Sequence, residues 1–265
     1  MIINDLVQPV VSKLRGRTDV ITSIPYYIAQ TLIDLSENYE FEELKQTGPL
    51  TNFVEDICAY PISGYDPNGI NGNPFIQSIE DKITFIRSWF TYFDTNGQVT
   101  LGQSTGSVMK DRDIRVVEPM SKISGLPTVY CIRGSYKNNG VILVGFLPDN
   151  PYPTQMTYQK QHPFSITFRQ VMQSINDSKL SSFLGTSVVM MPDDWTEVII
   201  LAAAEKACYD IGLNEIGTQY HQQLYGYKDK KGNEMPGIIT VRMTQQDRQA
   251  SFNERQMRPV VRRFT

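Results

Sequence analysis

Histidine, cysteine and tryptophan are scarce in this 265-residue chain, with two, three and two copies respectively. His162 and His221 fall in no H-x-x-x-H or Cys/His pattern, so no metal site is expected and both histidines read as ordinary surface or packing residues. Cys58, Cys131 and Cys208 are odd in number, widely spaced and set among apolar or aromatic neighbours. That spacing suits neither a zinc motif nor a disulfide framework, and reduced, buried thiols are expected. Apolar runs approaching the ~20 residues of a membrane span are lacking. Met1-Ile-Ile-Asn-Asp-Leu-Val has no basic leader and is interrupted by Pro9, so no secretory signal is expected and the protein is expected to be made in the cytoplasm.

Motifs of enzyme chemistry are thin as well. There is no Walker loop or G-x-G-x-x-G, and neither the G-x-S-x-G spacing nor the elbow it makes is expected. Asp66-Pro-Asn-Gly-Ile-Asn-Gly has the look of a calcium loop, but Ile70 stands where an oxygen ligand is needed and no Glu occupies the twelfth place. The carboxylate pairs Glu42-Glu43, Glu80-Asp81 and Asp193-Asp194 read as solvated charges or helix caps. The expectation is a protein that is not an enzyme, with no catalytic residue, cofactor or metal.

What is present is a globular composition, 40% hydrophobic and 20% charged, long enough for a sizeable core. The net charge of −3 conceals a division. Residues 1–241 hold 26 acidic and 19 basic groups, net −7, whereas residues 242–265 hold six basic and two acidic groups, net +4. An acidic body therefore ends in a basic tail.

Helical periodicity marks both ends of that body. Residues 4–15 place Leu6, Val7, Val10 and Leu14 on one side, with Asn4 available as cap and Pro9 expected to bend or fray the start. Ser23 caps a helix from Ile24 to about Asn38, with Pro25 in its first turn and a stripe of Ile24, Tyr27, Ile28, Thr31, Leu32 and Leu35. Phe41, Leu44 and Gly48-Pro49 close this region. Near the other end, Asp193 or Asp194 caps a helix from Trp195 to about Tyr225, with a stripe of Trp195, Val198, Ile199, Ala202, Lys206, Tyr209 and Leu213, a small-residue patch at Ala202–Ala204, and a kink or break near Gly212 or Gly217.

Between them the period falls to two. Thr51 to Tyr60 reads as a strand or strand pair, Ser63 to Pro74 as a loop, and Ile79–Phe93 and Val99–Leu101 as strands flanking Asn96-Gly97, a hairpin signal. Val129–Ile132, Val141–Leu147 and a strand from about Thr154 read as a β-meander, with Arg133–Gly140 as a turn and Pro148, Pro151 and Pro153 ending the second strand. Met156 and Tyr158 share one face of the third strand. Phe164–Leu184 is ambiguous, with a short helix around Phe168–Ile175. Gly226–Glu234 is a charged turn, Gly237–Met243 a strand, and Gln245–Thr265 has too few large apolar residues for its own core.

Several blocks share one resemblance. Ser124-Gly-Leu-Pro-Thr-Val-Tyr, Leu147-Pro-Asp-Asn-Pro-Tyr-Pro and Met156-Thr-Tyr-Gln-Lys are similar to the central segment of the head-to-tail adaptor proteins of tailed, podovirus-like bacteriophages. Leu14-Arg-Gly-Arg-Thr-Asp-Val, Ile24-Pro-Tyr-Tyr-Ile, Ala29-Gln-Thr-Leu-Ile-Asp-Leu and Phe41-Glu-Glu-Leu resemble that family's opening helices, and Pro192-Asp-Asp-Trp-Thr-Glu-Val-Ile-Ile-Leu-Ala-Ala-Ala-Glu its last one.

The resemblance implies an α+β fold: a helical bundle from the N-terminal and C-terminal helices, an inserted antiparallel β-rich region, and an extended C-terminal tail. The expected body is 1–225, with helices 4–45 and 193–225 flanking a β-rich region 50–160, and the expected extension is 226–265. It implies a virion protein of the neck, between head and tail, forming a ring of about twelve subunits bound to the portal protein and to further neck or tail proteins. DNA passes through such a ring without sequence-specific binding, and no membrane is involved.

The tail residues expected to dock on the portal are Arg248, Phe252, Arg255, Arg258, Val260, Arg262, Arg263 and Phe264, with Met257 and Pro259 as further apolar anchors. A solvated tail or a phosphate-gripping one are the alternatives for this segment. For the whole chain they are a tail-tube or fibre-attachment ring component, or a cell-wall hydrolase using Glu42, Glu43, Asp193 or Asp194.

Overall fold

The computed structural model describes residues 1–78, 81–92, 106–134, 140–162, 188–229 and 232–245. It is a mixed α+β fold whose sheets are antiparallel but for one parallel strand pair. The chain divides into two compact units, residues 1–32 with 176–265, and residues 33–175.

The first unit is mainly helical. Helix α1 (Ile3–Lys13) buries Ile3, Leu6, Val7, Val10 and Val11, and with Leu14, buried just after it, this is the stripe expected from spacing widened by Ile3 and Val11. Its cap is not Asn4, which lies inside the helix. Instead the Ile2 N–H donates to Asp5 Oδ2 at 2.9 Å and the Asp5 N–H returns to the Ile2 carbonyl at 3.1 Å, placing a carboxylate in the first turn where the helix dipole favours it. Helix α2 (Ile24–Asn38) begins in this unit and buries the whole expected stripe.

The long C-terminal helix is two helices. A 3₁₀ turn at Asp193–Trp195 leads into one helix, Thr196–Asp210, and a second covers Asn214–Tyr225. The break falls at Gly212, whose φ of +78° ends the first of them. Neither Asp193 nor Asp194 caps with its side chain; Thr196 Oγ1 donates to the Asp193 carbonyl at 2.6 Å instead. The expected stripe is buried at Trp195, Val198, Ile199 and Ala202, but beyond them burial moves to Ala203, Ala204, Ala207 and Cys208, and Tyr209 is exposed. Gly217 follows the break with its Cα against the Tyr209 ring, where an added Cβ would lie 3.0 Å from it.

The charged turn is a two-stranded hairpin, Gly226–Lys228 with Glu234–Pro236. Beyond it the expected strand Gly237–Met243 is instead a helix over 238–245. The β-branched Ile238-Ile-Thr-Val run favours a strand in isolation, but the Val241 N–H reaches back to the Gly237 carbonyl at 3.2 Å and Ile239 is buried, so packing decides.

The second unit is a sandwich of two sheets. One contains β1 (Lys45–Thr47), β2 (Thr51–Asn52), β4 (Ile83–Tyr92), β5 (Gly106–Val108) and β9 (Pro153–Lys160), in the order β1-β9-β4-β5 with β2 also beside β9. The other contains β3 (Ala59–Pro61), β6 (Lys110–Asp111), β7 (Val129–Arg133) and β8 (Val141–Gly145), in the order β3-β8-β7-β6, with β6 parallel to β7. Thr51–Tyr60 is thus a strand pair, and its two members join different sheets across a turn where Asp56 takes φ +59°.

The expected meander is not formed. β7 and β8 are a hairpin, but β9 leaves it for the other sheet and lies between β1 and β4. Phe146 at φ +67° bends the chain after β8, and the Phe146 and Leu147 N–H groups bond to the Met120 and Ile123 carbonyls. Pro148, Pro151 and Pro153 withhold the donors that a continuing ladder would need. Pro153 accordingly opens β9 rather than merely closing β8.

Between the sheets lies an aromatic core. Trp89 stands 5.5 Å from Phe53, 5.0 Å from Phe75 and 5.6 Å from Tyr130, ring centre to ring centre, and Tyr60 is 4.8 Å from Phe75. Met156, Tyr158, Ile142 and Val144 complete it. Helix α3 (Ile114–Met120), unforeseen in the sequence, covers the outside of the β7–β8 sheet; Asp113 caps it by accepting the Arg115 N–H at 2.9 Å. The remaining helices are named in chain order α4 (Thr196–Asp210), α5 (Asn214–Tyr225) and α6 (238–245). The Asn96-Gly97 hairpin, Val99–Leu101 and the short helix around Phe168–Ile175 lie outside the described residues.

Candidate functional site

All eight residues expected to dock on the portal, from Arg248 to Phe264, lie outside the described residues, as do Met257 and Pro259. What is described is the root of that tail. In the first unit, α5 passes through Gly226 into the hairpin, where Tyr227 faces Met235 and Lys228 faces Glu234 across the strands. Lys228 Nζ and Glu234 Oε1 pair at 3.2 Å, while Tyr227 and Met235 remain exposed. A two-stranded ribbon is weak alone in water, and this one is anchored by Gly237, where an added Cβ would fall 2.1 Å from the Leu224 carbonyl oxygen. α6 then carries the chain to residue 245 with Ile239 buried.

The helices before this root are strongly acidic. Residues 193–225 hold Asp193, Asp194, Glu197, Glu205, Asp210 and Glu215 against the lone Lys206. Tyr27 Oη donates to Asp210 Oδ2 at 2.7 Å, and Tyr220 Oη donates to the Lys13 carbonyl at 2.7 Å, tying α5 to the end of α1. His221 Nδ1 lies 2.8 Å from Glu205 Oε1, an exposed ion pair when the imidazole is protonated.

In the second unit the polar chemistry is interior and structural. Gln159, fully buried on β9, donates through Nε2 to the Ser36 and Tyr39 carbonyls at 3.0 and 2.8 Å. Its Oε1 accepts from the Phe41 N–H at 2.5 Å and from Arg87 Nη2 at 3.2 Å. One amide thus satisfies the open C-terminal end of α2, and Arg87 continues outward to Glu40. On the inner face, Tyr158 Oη donates to Asp81 Oδ2 at 2.6 Å and accepts from the Gln77 N–H at 3.0 Å, with Lys160 Nζ 3.7 Å from Asp81. Burial, then the Asp81 bond, raises the Tyr158 phenol well above its usual range, so it stays protonated and is no base.

His162 is fully buried, and its imidazole is lowered to about 3 by burial and then by the Lys160 charge. It is a neutral core residue. In the Ser63–Pro74 loop, the Asp66 carboxylate accepts the Asn71 and Asn68 N–H groups, both at 2.9 Å, which holds it below the usual carboxylate range. Those oxygens organise the loop. Cys131 and Cys208 are buried, Cys58 half-buried, and all three are free thiols. Among the described residues no cluster of three or more His, Cys, Asp or Glu side chains is placed to hold a metal ion, and no helix is long and apolar enough to cross a membrane.

One sequence expectation needs correcting. Gly102-Gln-Ser-Thr-Gly106 has the G-x-S-x-G spacing of a nucleophile elbow. Residues 101–105 lie outside the described ones, but Gly106 opens β5, an edge strand. An elbow requires a strand that turns directly into a helix, and here the chain continues as strand.

A feature that sequence reading missed is α3, with Val116 exposed on it and Ile123 exposed just after it; Lys110, Asp111, Arg112 and Lys122 nearby in the chain are exposed too. The N-cap Asp113 was its available signal. No protein-family model matches this chain. No curated protein matches it either.

Proposed function

We propose that this protein is a structural component of a bacteriophage virion, the head-to-tail adaptor whose ring joins portal to tail and extends the DNA channel. The observation that carries this reading is the separation of charge: 1–241 at net −7, 242–265 at net +4. Blocks resembling the adaptor family, in family order from Leu14 to Glu205, support it.

A conduit must let DNA slide. Basic groups lining a channel release counterions on binding phosphate and would hold the duplex, whereas a ring of acidic bodies repels it. The acidic α4–α5 pair fits that requirement. The basic tail suits the opposite task, gripping an acidic portal surface by guanidinium–carboxylate pairs with Phe252, Val260 and Phe264 as apolar anchors. Ordering such a segment on its partner costs conformational entropy, which repetition around a ring offsets.

The arrangement also suits a helical body with a β-rich insertion. Residues from both chain ends share one compact unit, and residues 33–175 form another. In this reading the protein catalyses nothing and needs no cofactor.

The test is cryo-electron microscopy of the full chain mixed with the portal protein of the same phage, together with a chain ending at Gln245, which keeps α6 and the buried Ile239. A ring on the portal with the full chain, and none with the shortened one, is the expected result. A full chain that leaves the portal bare and binds distal tail parts instead overturns the adaptor reading.

A further inference from the structure

In the first unit, α4 and α5 pack side by side and bring one row of side chains to the surface. Gly217, His221 and Tyr225 recur four apart on α5, so they share one face of it. α4 supplies the facing edge. The Tyr209 ring lies against Gly217, where an added Cβ would meet it at 3.0 Å. One turn back, Glu205 sets Oε1 2.8 Å from His221 Nδ1. His221 lies in turn against Tyr225, with ring centres 4.7 Å apart. Tyr209 and Tyr225 are 44% and 49% exposed, and His221 is exposed between them, whereas the Glu205 side chain is 13% exposed.

Aromatic rings held half open around a carboxylate suit an arginine side chain. Its planar guanidinium stacks on ring faces and pairs with a carboxylate through two N–H groups. The surrounding field favours a cation too. Residues 193–225 hold Asp193, Asp194, Glu197, Glu205, Asp210 and Glu215 against Lys206, and the Tyr27 bond to Asp210 leaves that charge in place. Tyr220 ties α5 to the end of α1, which adds Lys13 and Arg15, while Arg17 is paired with Asp19. Six carboxylates against three cations leave net −3. The same field repels phosphate.

A basic segment of this chain starts beside the row. Gly237 is held against the Leu224 carbonyl, one residue from Tyr225, and α6 then leads to residue 245. Residues 246–265 hold Arg248, Arg255, Arg258, Arg262 and Arg263 against Asp247 and Glu254, net +3. The row and α6 are each about 12 Å long, and a coil of ten to eighteen residues spans roughly 16–25 Å. Arg255 to Arg263 therefore come within reach of the row, at an effective concentration on the order of millimolar.

We propose that the α4–α5 row is a docking site for arginine from this chain's own tail, residues 246–265, which latches the tail to its own body until a stronger acidic partner takes it. A guanidinium paired with Glu205 has a tyrosine ring to either side. The latch keeps the arginines from phosphate and from other acidic surfaces in the meantime. It is made within one chain and draws no copies together. It does not depend on which partner releases the tail, so it stands apart from the adaptor reading.

Photo-crosslinking of the full chain tests it, with p-benzoylphenylalanine in place of Gln222, which is exposed beside His221 and outside the row. Irradiation in dilute solution, followed by digestion and mass spectrometry of the single-chain band, should join position 222 to residues 246–265. Glu205→Gln, which keeps the shape and the His221 contact but removes the charge, should lower that yield about fivefold, as befits a partly exposed ion-pair and ring contact. Arg255→Gln, Arg258→Gln, Arg262→Gln and Arg263→Gln together should do the same, and circular dichroism melts check that both variants remain folded. Trypsin should cut the tail severalfold faster in Glu205→Gln than in the wild type. No tail cross-link, tail cross-links found only between two chains, or a yield that neither variant lowers overturns the proposal. Cross-links without portal binding would leave the latch and remove the adaptor reading; portal binding without cross-links would do the reverse.

Discussion

Replacing Gln159 by alanine is expected to be among the most damaging single changes in the 33–175 unit, although it touches no aromatic ring of the core. The amide makes four hydrogen bonds, to the Ser36 and Tyr39 carbonyls and from the Phe41 N–H and Arg87. Phe41 is 1% exposed, so water cannot replace the lost acceptor. A buried polar group left unpaired costs about 1–3 kcal/mol. With one buried N–H and two helix-end carbonyls affected, the expected loss is about 3–5 kcal/mol. Trp89 and Trp195 are the only tryptophans and fall one in each unit, so urea unfolding followed by fluorescence in a Trp195→Phe background reports on this unit alone. With a slope of about 2 kcal/mol per M, the midpoint should drop by roughly 1.5–2.5 M. Gln159→Glu keeps an acceptor for Phe41 and Arg87 but sets a buried carboxylate oxygen against the two carbonyls at the negative end of α2, and should lose at least as much. A loss under about 1 kcal/mol for the alanine variant, at unchanged slope, would refute the assignment of Gln159 as the group that closes α2.

Other expectations follow from single contacts. His162 is lowered to about 3 in the fold against 6.5 when unfolded; its contribution is complete above pH 6.5 and is lost as pH falls toward 3, at up to about 1.4 kcal/mol per pH unit. Urea midpoints measured at pH 7 and pH 5 should differ in that sense, and His162→Gln should flatten the difference. In Gly48→Ala the new Cβ would fall 1.9 Å from the Phe75 carbonyl oxygen, which should cost about 2–3 kcal/mol and lower the thermal midpoint by roughly 6–10 °C. In the other unit, Tyr27→Phe removes the bond to Asp210 at 2.7 Å and should cost about 1 kcal/mol, read from Trp195 emission in a Trp89→Phe background; an unchanged midpoint would count against that bond.

Helices α1 and α2 were legible because their apolar residues recur at helical spacing over several turns, and a stripe needs no knowledge of its partner. The same reasoning placed the first half of the buried face of α4, Val198, Ile199 and Ala202, and missed the second. Its Ala202–Ala204 run gives no stripe, and with small residues on all sides the face is chosen by close approach of neighbours, burying Ala207 and Cys208 while leaving Tyr209 outside. α6 was hidden because Ile238, Ile239, Thr240 and Val241 carry strand propensity. The sheet crossing was half legible: the prolines marked the end of a ladder, but nothing local says that β9 will be inserted between β1 and β4. Gln159 was invisible for a related reason, since a buried amide is defined by carbonyls more than a hundred positions earlier. Of the candidate site, the charge division was readable from composition alone, and α3 only through its capping Asp113.

The place of β9 between β1, β2 and β4 dictates when the sandwich is completed during synthesis. Lys45 pairs with Gln159 and Thr51 with Thr154, so the earliest strands wait for the latest. The β7–β8 hairpin is local and closes within microseconds of leaving the ribosome, while β4 stands without its central neighbour until Lys160 has emerged, several seconds after Lys45 at about 5–20 residues per second. During that interval Trp89 and Ile83 have no Met156 or Tyr158 to cover them. The nascent chain therefore passes through a stage in which a long apolar strand edge is open, and chains cut short before Pro153 are the species expected to aggregate or to be held by chaperones.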